Sequence, residues 1–207
     1  VYNKNNGYIK RQMIKNIILA SKSKIRKKIL DKNNITCEVA PSNIDEDQVK
    51  ESLLKEKASP EIISKNLAEL KANKVSAKNS NDLVLGADSV IDLNGELLSK
   101  PKSRAEALNI LQKLNGKTHQ LISSVCISKN GSMIWNFTDA SRLTMKQLNL
   151  DKIKLYLSKI RDEELYAYGV YQIEANGKYL FDKIEGNEDT IMGLPIKQIK
   201  EYLKNFK

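Results

Sequence analysis

Apolar residues along this chain switch repeatedly between runs suited to strands and a three-to-four spacing suited to helices. Ile17-Ile18-Leu19-Ala20, within a stretch opening at Ile14, is a buried strand that stops at Ser21. Ser23 is the N-cap of a following helix, with Ile25, Ile29 and Leu30 on its core side. Cys37-Glu38-Val39-Ala40 is a short extended piece, and a polar, solvated loop carrying Asp45-Glu46-Asp47 follows it. Ser59-Pro60 opens a helix expected to reach about Ser76, with Ile62, Ile63, Leu67 and Leu70 inward and Lys71 beside that stripe as a snorkelling lysine.

Leu83-Val84-Leu85 begins a strand expected to end at Asp88. Asn94-Gly95 then joins Val90-Ile91-Asp92-Leu93 to Glu96-Leu97-Leu98 as a hairpin, because both turn positions favour positive φ. That hairpin returns Lys100 to the neighbourhood of Asp88. Ser103-Arg104-Ala105-Glu106 is a capping box for a helix with Ala107, Leu108, Leu111 and Leu114 on its apolar face, ended by Asn115-Gly116. Leu121 to Ser128 and Met133 to Asn136 flank a second hairpin at Asn130-Gly131, which Thr138 to Thr144 extends. Asp151 is expected to cap a helix carrying Ile153, Leu157 and Ile160. A turn region spans Tyr168 to Gly177, then come the strand Tyr179-Leu180-Phe181 and a closing helix from Gly193-Leu194-Pro195 with Ile196, Ile199, Leu203 and Phe206 on one face. Strands interleaved with helices give an α/β chain, arranged as one domain with two lobes around a cleft.

Composition changes this picture only in places. At 207 residues and 41% hydrophobic content a core is assured. No apolar run of about 18 residues suggests a membrane span and no leader pattern is seen, so a cytoplasmic protein is expected. Residues 1–13 are set apart as a flexible or non-native extension ahead of a single domain over 14–207. Cys37 and Cys126 lack any metal or redox spacing and are expected to be reduced. The single histidine, His119, would carry any Ser-His or Cys-His chemistry unaided. Residues 1–32 hold ten lysines and arginines against one acid, Asp31, and so most of the net charge of +10. Such a basic segment suits a phosphate ligand, nonspecific nucleic-acid contact, or simply a solvated face.

The candidate chemistry gathers around Asp88. In open α/β sheets ligands bind beyond the carboxyl ends of strands, where an aspartate meets substrate or metal. The Ser21-Lys22-Ser23 turn into a helix N-terminus suits a phosphate but lacks the glycines of a Walker A loop. Asp88, Lys100, the serine turn with Arg26 and the acidic loop could together form a divalent-metal and polyphosphate site.

Five segments in order carry a resemblance: Ile18-Leu19-Ala20-Ser21-Lys22-Ser23-Lys24-Ile25-Arg26-Lys27-Lys28-Ile29-Leu30, Gly86-Ala87-Asp88, Gly95-Glu96-Leu97-Leu98-Ser99-Lys100-Pro101, Leu114-Asn115-Gly116-Lys117-Thr118-His119, and Ile184-Glu185-Gly186 with Gly193-Leu194-Pro195. From about Ile17 to the last helix, the chain resembles the Maf family of nucleoside triphosphate pyrophosphatases. The resemblance implies a mixed twisted sheet with helices on both sides and two lobes around a central cleft, similar to inosine triphosphate pyrophosphatases. It also implies hydrolysis of a triphosphate, a standard or modified one, to nucleoside monophosphate and pyrophosphate, as house-cleaning of the nucleotide pool. Under it Asp88 is the catalytic base, Glu46 helps Asp88 hold Mg²⁺ or Mn²⁺, and Ser21, Arg26, Lys71 and Lys100 bind phosphate. The partner is then the nucleotide; neither membrane nor nucleic acid is expected, and a homodimer stays open.

Departures from the dTTP/UTP-type pattern concern specificity. Ile25 stands where that type has a second arginine, Lys24 replaces proline, Ser89 replaces threonine, and Glu174 replaces glutamine as in members resembling 7-methyl-GTP pyrophosphatases. A carboxylate only accepts hydrogen bonds and favours a donor-rich base edge such as guanine. Ile25 is equally well read as a core residue. Two rival classes stay open: a septum-formation or nucleic-acid-binding role without hydrolysis, and an inosine triphosphate pyrophosphatase.

Overall fold

The computed structural model describes residues 17–206. The extension 1–13, the beginning of the first expected strand at Ile14, and Lys4, Lys10, Arg11 and Lys15 of the basic segment lie outside the described residues. β1 (Ile17–Leu19) leads into α1 (Lys24–Lys32), and β2 (Cys37–Val39) into α2 (Glu46–Lys55) and α3 (Pro60–Ser76). β3 (Leu83–Leu93) and β4 (Glu96–Leu98) form a hairpin, α4 (Arg104–Leu114) follows, and β5 (Thr118–Lys129) and β6 (Ser132–Met145) form a longer one. α5 (Leu150–Ser158), α6 (Asp162–Tyr168) and a 3₁₀ turn (Asn176–Leu180) lead to β7 (Phe181–Glu185), then α7 (Glu188–Ile191) and α8 (Ile196–Asn205).

The seven strands form one mixed sheet in the order β2-β1-β3-β5-β6-β7, with β4 on the far end of β3. β1 is parallel to both neighbours, and every other pairing is antiparallel. Alternation along β3 sorts its side chains between two layers of helices. Leu83, Leu85 and Ala87 share a core with Ile29 and Leu30 of α1 and Ile199 and Leu203 of α8. On the opposite face Val84 packs with Val75 of α3, and Gly86 lets α3 approach so closely that a Cβ there would lie 2.2 Å from Ala68 O. Leu93, Leu98, Leu111, Leu143, Leu157 and Phe181 build a second core at the other end of the sheet. The mixed sheet with helices on both sides and two lobes is thus the observed architecture.

The two Asn-Gly hairpins form as expected, with φ of +55° and +89° at Asn94 and Gly95 and +53° and +78° at Asn130 and Gly131. Other expectations need correction. β3 does not end at Asp88, because β5 pairs with it from Val84 through Asp92 without interruption. The Asp45-Glu46-Asp47 stretch is not a loop: Asp45 caps α2 by accepting from Gln48 N, and the two following acids sit at the positive end of that helix. Ile62 and Leu70 are 47% and 42% exposed. The buried stripe of α3 instead runs through Ile63, Leu67, Lys71 and Val75. Asn149, not Asp151, caps α5, and α6 and α7 were not anticipated. The strand expected at Tyr179 starts at Phe181, because the preceding residues coil into a 3₁₀ turn.

Candidate active site

β1 pairs with β3 only as far as Leu85, and β4 joins β3 only from Ile91. Between them, Gly86 to Val90 lack a strand neighbour on that edge. Here a cleft of about 950 Å³ opens between the two cores, lined by residues of both lobes. Asp88 is therefore at the end of the parallel ladder rather than of its own strand, and is 5% exposed.

Its side chain points to the α3 face. Lys71 Nζ donates to Asp88 Oδ1 at 2.7 Å and pairs with Glu46 Oε1 at 2.9 Å. Lys71 itself is 6% exposed, so it is a buried bridge between carboxylates and not a snorkelling residue. Burial pushes the Glu46 carboxyl up, but the Lys71 ammonium, joined by Lys50 and Lys100, outweighs this and holds it below the ordinary range. Asp88 Oδ2 is buried and has no hydrogen-bond partner. A carboxylate oxygen left in this state is a ready acceptor for a proton or a hard cation.

Arg26 fills the open edge of β3. It donates through Nε to Gly193 O at 2.9 Å, through NH1 to Ala87 O at 2.9 Å and Ser21 Oγ at 3.2 Å, and through NH2 to Ser89 Oγ at 3.0 Å. Those contacts leave one N–H of the guanidinium's five for a ligand. Burial pushes its pKa down, against the attraction of Asp88 and Glu46. Ser123 Oγ donates to Thr190 O at 2.8 Å, so it accepts from Ser89, whose hydroxyl lies 2.8 Å away. The Ser89 hydroxyl is thereby committed to the protein on both sides.

Lys100 Nζ donates to Ala167 O at 2.7 Å, linking the segment that follows β4 to α6. It lines the cleft as an exposed residue, and desolvation by the cleft walls, then the neighbouring Arg26, pushes its pKa down to about 8. Ser21, Ile25, Ser89 and Glu174 all line the same cleft. Ile25 also packs on the core beside α1. The sequence-derived candidates are thus brought together in one cavity. His119 is not among the lining residues: it is buried in the far lobe against Tyr171 and Phe181.

Lys22, Lys24 and Lys50 add cations to the walls, and α6 with its N-cap residue contributes Arg161, Glu163, Glu164 and Tyr166. Lys50 and the α6 residues escaped the sequence argument because their helices did. The Asp45-x-x-Gln48 spacing and the acids opening α6 before Gly169 were the available signals. Among the described residues no group of three or more His, Cys, Asp or Glu could hold a metal, and no helix is long and apolar enough to cross a membrane.

A protein of Pelagibacter ubique named nucleoside triphosphate pyrophosphatase is 68% identical over 94% of this chain and all of its own length. A 7-methyl-GTP pyrophosphatase of Brucella abortus is 37% identical over 92% of this chain and 96% of its own. The Staphylococcus aureus Ham1 structure aligns with 93% of this chain and the whole of its own, at 18% identity and a TM-score of 0.47. The family described as Maf-like protein matches residues 16–206, a span that contains every residue described above, and the chain belongs to it.

Proposed function

We propose that this protein hydrolyses nucleoside triphosphates to nucleoside monophosphate and pyrophosphate, and that Asp88 is the general base. The observation that carries the proposal is the buried Asp88 carboxylate, with Oδ1 held by Lys71 and Oδ2 unpartnered, in the wall of a cation-lined cleft. The names of the relatives support the same reaction. Water bonds to phosphorus, the anhydride bond between the α- and β-phosphates breaks, pyrophosphate departs, and the proton released by water passes to Asp88.

Phosphoryl transfer depends chiefly on position and charge. Lys22, Lys24, Lys50 and Lys100, with the free N–H of Arg26, surround the anionic chain. Ser21 presents the start of α1 to it. Lys71 fixes the rotamer of Asp88 and keeps two carboxylates together despite their repulsion. Asp88 and Glu46 fit Mg²⁺ or Mn²⁺, because such cations are held by one or two carboxylates with substrate oxygens and water completing the shell. A cation held there supplies charge neutralisation and a bound water of lowered pKa.

Glu174 lies in the cleft near the Gly169 turn and supports a base edge rich in donors, with guanine-type triphosphates preferred. The nucleotide pool places the reaction in the cytoplasm. A homodimer is compatible with this scheme but not needed by it, since every residue named comes from one chain. The test is pyrophosphate release from a panel of triphosphates with Mg²⁺ or Mn²⁺, by wild type and Asp88→Asn. A loss of about 10²–10⁴-fold in kcat is expected for the variant. Equal rates, or no triphosphate cleaved, overturn the proposal.

A further inference from the structure

The hydrolysis proposed above has no use for the chain's single imidazole. His119, on β5, is 2% exposed. Its Nε2 shares a 2.8 Å hydrogen bond with the Tyr171 hydroxyl, and its Nδ1 is buried without a partner. Burial lowers its pKa to about 4, leaving the ring neutral at physiological pH. Tyr171 is seated edge-on against Phe181, ring centroids 4.9 Å apart.

This pair grips one segment of the cleft wall. Gly169 to Glu174 lines the cavity, with Val170, Tyr171 and Ile173 buried while Gln172 and Glu174 stay more open. The Tyr156 hydroxyl donates to Val170 O at 3.2 Å, one residue from the His119 contact. At Gly177 a Cβ would meet Gln172 N and O at 2.5 Å, so the 3₁₀ turn supports the segment directly. The hydrogen bonds are thus behind the wall, and the residues suited to a nucleobase are in front.

Packing alone does not explain an imidazole here. Two apolar rings would fill the space without stranding a buried nitrogen, and replacing both partners of a buried hydrogen bond is often neutral for stability. What the polar pair adds is direction: it fixes one rotamer of Tyr171 and with it the register of the segment. We infer that His119 and Tyr171 are a positioning pair for base selection, holding the backbone from which Gln172 and Glu174 meet the nucleoside. The inference rests on the nucleotide function proposed above.

The test is calorimetric titration of wild type, Tyr171→Phe, His119→Phe and the double variant with three probes, inorganic pyrophosphate, GMP and UMP, beside thermal melting. Pyrophosphate affinity should stay within about twofold of wild type in every variant. The ratio of GMP to UMP affinity should fall about fivefold to tenfold in Tyr171→Phe, the loss of one oriented hydrogen bond. The double variant no longer strands one partner, so it should regain melting temperature without regaining the ratio. If the ratio recovers together with melting temperature, or never changes, the pair is only structural and the inference is overturned. Pyrophosphate binding weakened as much as GMP binding also overturns it. Should His119→Phe fail to fold, Tyr171→Phe, which keeps its ring, carries the test alone. A wild type that binds neither nucleotide and cleaves no triphosphate defeats the nucleotide function and this inference with it. A wild type that cleaves triphosphates while its variants keep the ratio defeats only the inference.

Discussion

Lys71 stabilises the site by holding two carboxylates together, one of them buried, and its removal leaves them facing each other. Breaking a buried ion pair from one side costs about 3–5 kcal/mol; Glu46, 41% exposed at its side chain, brings the expectation to the lower end. Urea denaturation of Lys71→Met in EDTA should therefore show a loss of about 3 kcal/mol. Added Mg²⁺ should raise the melting temperature of Lys71→Met more than that of wild type, because a cation would take over the missing charge. Equal shifts would count against a cation held by Asp88 and Glu46. At this scale the sequence was informative about which residues matter and much less about what they do. Motif order brought Ser21, Arg26, Lys71, Lys100, Asp88 and Glu174 to attention, and all line one cleft. It said nothing of the partners of Arg26 and Ser89, since those depend on how β5 and the Gly193 turn approach β3 from distant parts of the chain.

At the scale of elements, the site depends on how closely α3 lies on β3. Gly86, which opens the Gly86-Ala87-Asp88 motif, has a φ that is not positive, and its role is proximity. An alanine Cβ there would lie 2.2 Å from Ala68 O and 2.7 Å from Ala72 N. α3 would have to retreat, carrying Lys71 away from Asp88. Gly86→Ala should lose about 1–3 kcal/mol in urea denaturation and lower pyrophosphate release as well. Full stability with full activity would show that the contact is slack. Elements with strong local chemistry were legible: both Asn-Gly hairpins, and the Ser23, Ser59 and Ser103 caps, each accepting from a backbone N–H three residues on. α2 and α6 were not, because short helices with no fully buried stripe carry little periodicity. α2 has no buried residue at all, and α6 has only Leu165.

The cleft itself belongs to the whole molecule. β3 passes from one core at Leu85 to the other at Leu93, and the gap between the cores exposes the stretch carrying Asp88 and Ser89. α1, α2, α3 and the end of the β3–β4 hairpin each contribute cations to that gap, and two of them, Arg26 and Lys71, act on Lys100. Desolvation and then Arg26 push its ammonium down, Glu46 and Asp88 pull it up, and the balance falls at about 8. Below that pH Lys100 carries its charge and aids a polyanion; as pH rises through about 8 the charge is lost, well before an ordinary lysine would lose it. Triphosphate affinity should therefore weaken over this window, while the terminal phosphate, which ionises near pH 6, is already fully charged. Lys100→Arg keeps its proton throughout and should flatten the profile. KM measured between about pH 7 and 9, roughly one unit on either side of that value, decides the matter: an equal rise in both proteins would place the titrating group elsewhere in the cleft.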